Sequence, residues 1–82
     1  MRKMYVVCRG RKLGLFDTWA DCEEQVEYYR GAIFRGFKTI CEALIFIRAE
    51  MPAGEEYVIN VKGQTKYYPD YHLFIDALFE FV

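Results

Sequence analysis

The residues best suited to chemistry lie in one run, Tyr5-Val6-Val7-Cys8-Arg9-Gly10-Arg11-Lys12-Leu13-Gly14-Leu15-Phe16-Asp17-Thr18-Trp19. Arg9, Arg11 and Lys12 place three cations on a glycine-containing turn, and Trp19 follows at the start of a helix. Cations beside an aromatic plane suit a nucleic-acid backbone, because phosphates are neutralised while a ring offers a stacking surface. Each residue also has a structural reading. Trp19, Phe34 and Tyr5 could pack on a sheet, Arg35 and Lys38 could be ordinary solvated cations, and the turn 9–12 could pair with the acidic segment after it. Catalysis and metal binding have less support. Cys8, Cys22 and Cys41 form no C-x-x-C pair, and His72, the single histidine, has no partner at ligand spacing, so no metal or cofactor is expected. The three thiols read as small buried hydrophobes of a protein in a reducing, intracellular compartment, nuclear or cytoplasmic.

The elements that must position these residues follow from local pattern. Met4–Cys8 is a β-branched and aromatic strand, Arg9–Lys12 its turn, and Leu15–Phe16 a short second strand. Gly14 permits either a positive φ or the close approach of another backbone. Asp17 or Thr18 caps a helix over Trp19–Tyr29, with Asp21 in capping-box position. Cys22, Val26 and Tyr29 form its core face, and Gly31 its C-terminal cap. Ala32–Phe37 is a third strand, in which Ile33 and Phe34 point to opposite faces. Ile40–Glu50 is a second helix with an apolar face of Cys41, Leu44, Ile45 and Ile47, beside Phe46, and Pro52 and Gly54 stop it. Beyond it, Tyr57–Val61 is a strand candidate, Lys62–Thr65 a turn and Asp70–Val82 a helix. The wide apolar surface of this last helix must pack on the rest of the chain or on another chain.

At 82 residues the chain is one small domain with an extension, and 54% hydrophobic and 18% aromatic content argue against disorder. Net charge is −1, but the charges are segregated: +5 over residues 1–16, −5 over 17–27, +2 over 28–50 and −3 over 51–82. A molecule with one basic surface is therefore expected. No secretion signal opens the chain and no apolar run approaches membrane-spanning length, so a soluble protein without a membrane partner is expected.

The pattern Tyr5-x-Val7-x-Arg9-Gly10-Arg11-Lys12-x-Gly14-x-Phe16-x-Thr18-Trp19-x-x-Cys22-x-x-Gln25-Val26, followed by Gly31-Ala32-x-Phe34-Arg35-x-Phe37, resembles the hybrid-binding domain at the N-terminus of eukaryotic ribonucleases H1, also found in caulimovirus viroplasmin proteins. The resemblance covers residues 4–48. It implies a three-stranded antiparallel sheet with two helices and affinity for RNA/DNA hybrid or double-stranded RNA through the minor groove. By position, Trp19 and Phe34 match the aromatic pair flanking the DNA backbone, and Arg35 a phosphate-contacting lysine. Gly31 matches a position whose backbone meets RNA 2′-hydroxyls, and Tyr5 an aromatic beside that site. Two positions depart from the pattern. Arg35-Gly36 replaces a Lys-Lys pair, which removes one phosphate contact, and Cys8 stands where a basic residue is common.

The expected fold is α+β, a small three-stranded antiparallel sheet covered by two helices (β-β-α-β-α) over residues 1–50, with a C-terminal strand/helix extension over 51–82. The expected function is a non-catalytic nucleic-acid-binding module without sequence specificity, because the carboxylates a ribonuclease H gathers around metal ions do not appear. Its candidate binding residues are Trp19, Phe34, Arg35, Gly31, Tyr5, Arg9, Arg11, Lys12 and Lys38, with RNA/DNA hybrid or double-stranded RNA as partner. The alternative is a protein-interaction or dimerisation module, pairing as a homodimer or with a protein partner through the apolar C-terminal helix. An end at Phe81-Val82, inside an apolar pattern, is also compatible with a fragment of a longer nuclease-like chain.

Overall fold

A computed structural model describes residues 3–81, all but the side chain of Phe81. Met1, Arg2 and Val82, the last of which the expected C-terminal helix includes, lie outside the described residues. The strands are β1 (Met4–Arg9), β2 (Leu13–Phe16), β3 (Ile33–Phe37), β4 (Tyr57–Val61) and β5 (Gln64–Tyr68). The helices are α1 (Trp19–Val26), α2 (Ile40–Glu50) and α3 (Tyr71–Leu78), and a 3-10 turn, Phe79–Phe81, follows α3.

The fold is α+β, but the sheet has five strands rather than the three expected, in the order β3-β1-β2-β4-β5. β1 pairs antiparallel with β2 and β3, β4 antiparallel with β5, and β2 runs parallel to β4. Residues 57–68 thus continue the sheet formed by the first three strands. β5 lies where only a turn was expected. All its residues but Tyr68 are exposed, so it carries no alternating apolar pattern to read. The true turn is tighter: Lys62 (φ 55°) and Gly63 (φ 77°) are both left-handed, as a two-residue type I′ hairpin requires.

Both Thr-capped helices start as their sequences dictate. The Thr18 hydroxyl accepts the Asp21 N–H at 3.3 Å and donates to the Asp21 carboxylate at 2.8 Å. Thr39 and Glu42 repeat the arrangement for α2. The end of α1 differs from expectation, because the helix stops at Val26 and Tyr28 (φ 57°), not Gly31, takes the left-handed position. Gly31 (φ 77°) instead occupies the third position of a type II turn, closed by the Ala32 N–H donating to the Tyr29 carbonyl at 3.3 Å. On α2 the buried stripe is Ile40, Ala43, Leu44, Phe46 and Ile47. Ile45, expected in the core, is 71% exposed, and Cys41 is exposed too.

Cross-strand register assigns the faces. Phe34, Val7, Gly14, Val58 and Tyr67 form one row across all five strands and share a face. α2 and α3 cover the opposite face: Phe46 packs tilted against Phe37, and Phe74 stacks on Tyr57, at centroid distances of 5.3 and 5.2 Å. Phe74 and Leu78 of α3 are buried against the sheet, so much of that helix's apolar face is covered within the chain. The fully buried Tyr57 keeps its hydroxyl satisfied by donating to the Pro52 carbonyl and accepting the Glu55 N–H. No described helix is long and apolar enough to cross a membrane.

The parallel β2–β4 seam depends on Gly14, whose φ is 151° and where a Cβ would stand 1.8 Å from the Val58 carbonyl oxygen. Gly14→Ala should therefore cost about 3 kcal/mol or more in urea unfolding, since the clash is with backbone that cannot step aside. Gly54→Ala, where φ is 83° but the space is open, should cost only about 1 kcal/mol.

Candidate nucleic-acid interface

The face opposite α2 and α3 is only partly covered. α1 packs over β1 and β2, seating Cys22 and Val26 in the core, and leaves the β3 side open. Three aromatics lie in a row there. The Trp19 ring is 5.7 Å from Tyr5 and 5.8 Å from Phe34, tilted in both pairs, and Trp19 and Phe34 are 43% and 40% exposed. Trp19 is held by the helix start it occupies. One residue before the cap, the Asp17 N–H donates to the Asn60 carbonyl at 3.2 Å, and the buried Asp17 carboxylate accepts the Lys62 N–H at 3.0 Å. The β4–β5 hairpin thereby fixes the segment that presents the indole.

The candidate cations are distributed unevenly. Arg9 lies against the Gly31 turn, its guanidinium 3.5 Å from where a Gly31 Cβ would stand. Arg11 is committed elsewhere: it donates to the Glu24 and Glu27 carbonyls at 3.1 and 2.6 Å and lies 5.9 Å from the Tyr29 ring. It thus satisfies the open C-terminal end of α1, where a cation is favoured. Lys12 reaches across to β5, with its ammonium 3.5 Å from the Tyr67 hydroxyl and 5.6 Å from that ring. Arg35 pairs in register with Val6, which places it on the face opposite Phe34, and its guanidinium sits 5.1 Å from the Phe46 ring of α2. Lys38 is exposed between β3 and the cap of α2.

One neighbour of the aromatic row is absent from the motif. Tyr5 pairs with Gly36, and a Cβ on Gly36 would meet Lys3 Cε at 3.0 Å, Lys3 Cδ at 3.1 Å and Tyr5 Cε1 at 3.2 Å. The aliphatic stem of Lys3 thus fills the space above Gly36. The available signal was spacing, because Lys3 precedes Tyr5 by two residues and so points to the same face.

The chain matches the Ribonuclease H1 N-terminal domain family over residues 3–47, more than half its length. It belongs to that family. Ribonuclease H1 of Homo sapiens is 48% identical over 61 residues, covering 73% of this chain and 21% of that protein. Ribonuclease H1 of Mus musculus is 36% identical over 66 residues, covering 76% and 23%. Ribonuclease H of Crithidia fasciculata is 42% identical over 45 residues, covering 55% and 9%. The chain spans less than a quarter of the length of each of these relatives.

Among the described residues no group of three or more His, Cys, Asp or Glu side chains could hold a metal ion. A cavity of about 530 Å³ lies at one end of the helix-covered face, lined by Leu15, Ile59 and Tyr68 among others. Cys8 and Cys22 are buried. Burial, then the charge of Glu50, pushes the Cys8 thiol up to about 12. Burial, then Glu23, pushes Cys22 to about 11. Because both folded values lie above the unfolded value of 9.0, the unfolded chain releases these protons first. Stability should therefore fall as pH rises from about 9 towards 11. In the native protein at pH 8, a thiol-exchange reagent should titrate Cys41 rapidly and the other two only on denaturation. Rapid reaction of all three would show that the core around β1 and α1 is open.

Proposed function

We propose that the chain is a non-catalytic module that binds RNA/DNA hybrid or double-stranded RNA by shape and backbone contact, without reading sequence. The observation carrying this reading is the Tyr5–Trp19–Phe34 row, with Trp19 and Phe34 exposed and Tyr5 partly buried, on a strapped helix start, in a chain of the Ribonuclease H1 N-terminal domain family. In the proposed mode Trp19 and Phe34 flank one sugar-phosphate backbone, with Tyr5 extending the platform. The Gly31 turn, flanked by Arg9, approaches the 2′-hydroxyls of the other strand in a wide minor groove. A glycine in a type II turn lets backbone come close there, since no side chain stands in the way. Lys38, at the end of β3, adds to the local positive field, while Arg35 lies over Phe46 on the other face. Arg11 and Lys12 act chiefly on the protein itself. The exposed acids Glu23 and Glu24 of α1, and Glu27 just after it, repel phosphate, so the footprint runs from Trp19 towards β3. Residues 1–50 carry the recognition surface, and residues 51–82 complete the sheet behind it.

A protein-interaction role has one observation in its favour, the half-exposed Leu73 and Phe79 at α3 and just after it. No cation lies between them in the chain, where residues 74–78 are Phe, Ile, Asp, Ala and Leu. Anisotropy titrations of labelled hybrid, double-stranded RNA and double-stranded DNA at two salt concentrations test the choice. The hybrid should bind more tightly than DNA and weaken with salt. Trp19→Ala should lower its affinity roughly fivefold or more, the low end of what an aromatic platform contributes. Absence of binding at low salt would move the function to protein interaction.

A further inference from the structure

We propose that Lys3 is the phosphate-contacting cation of the aromatic face, seated there by Gly36. The inference deepens the duplex-binding reading above and rests on it. A surface that grips a sugar-phosphate backbone needs positive charge next to its aromatic planes, because neutralised phosphates supply most of the affinity. The motif cations do not meet that need beside Tyr5. Arg35 is turned to the other face over Phe46, Arg11 is bound to the carbonyls ending α1, and Lys12 is drawn to Tyr67. Arg9 stands at the Gly31 turn, where the other strand is expected. Position 36, directly opposite Tyr5, has no side chain at all.

Lys3 occupies that space. Its Cδ and Cε lie 3.1 and 3.0 Å from where a Gly36 Cβ would be, alongside the Tyr5 ring edge at 3.2 Å. Its apolar stem is therefore laid over Gly36 next to Tyr5, and the residue as a whole is exposed, so its charge stays in water within reach of a bound backbone. Gly36 is what makes the seat: any side chain there would contend with Lys3 for the same volume. The charge that β3 lacks at position 36 is thus delivered by the residue just before β1.

The test is a salt titration of labelled RNA/DNA hybrid with the full chain, comparing Lys3→Ala, Lys3→Arg, Arg35→Ala and the double variant Lys3→Ala/Gly36→Lys. Thermal melts confirm that each variant folds. Loss of one phosphate contact lowers the log–log salt slope by about 0.9, so the affinity gap between wild type and Lys3→Ala should shrink about threefold between about 50 and 200 mM salt. Lys3→Arg should keep the wild-type slope, and Gly36→Lys should restore it in the Lys3→Ala background. An unchanged slope for Lys3→Ala, or a loss in Arg35→Ala alone, would overturn the assignment while leaving duplex binding in place. Failure of the wild-type chain to bind hybrid would instead remove the reading on which it rests, and the assignment with it.

Discussion

Everything else in the molecule leans on the backbone contact between β2 and β4 at Gly14. Two strands can run parallel at ordinary spacing with side chains on both, but here the Val58 carbonyl stands where a Gly14 Cβ would be. Only glycine closes that seam. Closing it brings Leu15 beside Ile59 and Phe16 beside Asn60, which places Asp17 within reach of the Lys62 N–H. That carboxylate then fixes the residue before the Thr18 cap, and so the point at which α1 begins and Trp19 leaves the sheet. The hairpin lies far from the family motif in sequence and next to the start of α1 in space.

The same sheet separates two tasks by its faces. Between the sheet and α2 and α3, Leu15 and Tyr57 meet Ile47 and Phe74 in a buried core that stabilises the domain through buried apolar area. On the other face α1 covers the middle and leaves aromatic surface beside β3. Much of the charge visible in the sequence is used to hold this arrangement. Arg11 closes the end of the acidic helix, Lys12 ties the first turn to β5, and Arg35 lies on an aromatic ring of α2. A run of basic residues in sequence is thus not a basic surface in space. The cations left near the aromatic row are fewer than the motif suggests, and one comes from outside it.

The legible parts of the fold were those with local causes. The capping box at Thr18 and the breaker at Pro52 mark a helix start and a stop within a few residues, and α2 runs over Ile40–Glu50 as its pattern indicates. The sheet was harder to read, because pairing β2 with β4 joins residues more than forty apart and leaves only Gly14 as its local trace. β5 was hidden because an edge strand facing water on nearly every residue has no period to detect. In the candidate site, Trp19, Phe34 and Tyr5 come together as the motif implies. Arg35 does not join them: the period of two that sets Ile33 against Phe34 also sets Arg35 against Phe34. Lys3 was missed because its importance depends on an absence, the missing side chain at Gly36 on the neighbouring strand.

The most direct measurement of the central claim is an amide chemical-shift titration of the labelled protein with an RNA/DNA hybrid, assigned residue by residue. The account predicts that the largest changes map to Tyr5, Trp19, Gly31 and Phe34, with the indole N–H of Trp19 among them. It also predicts that α2, α3 and the cavity near Tyr68 stay unmoved. Changes centred on α3 or on the Lys12–Tyr67 pair, with the aromatic row silent, would contradict it.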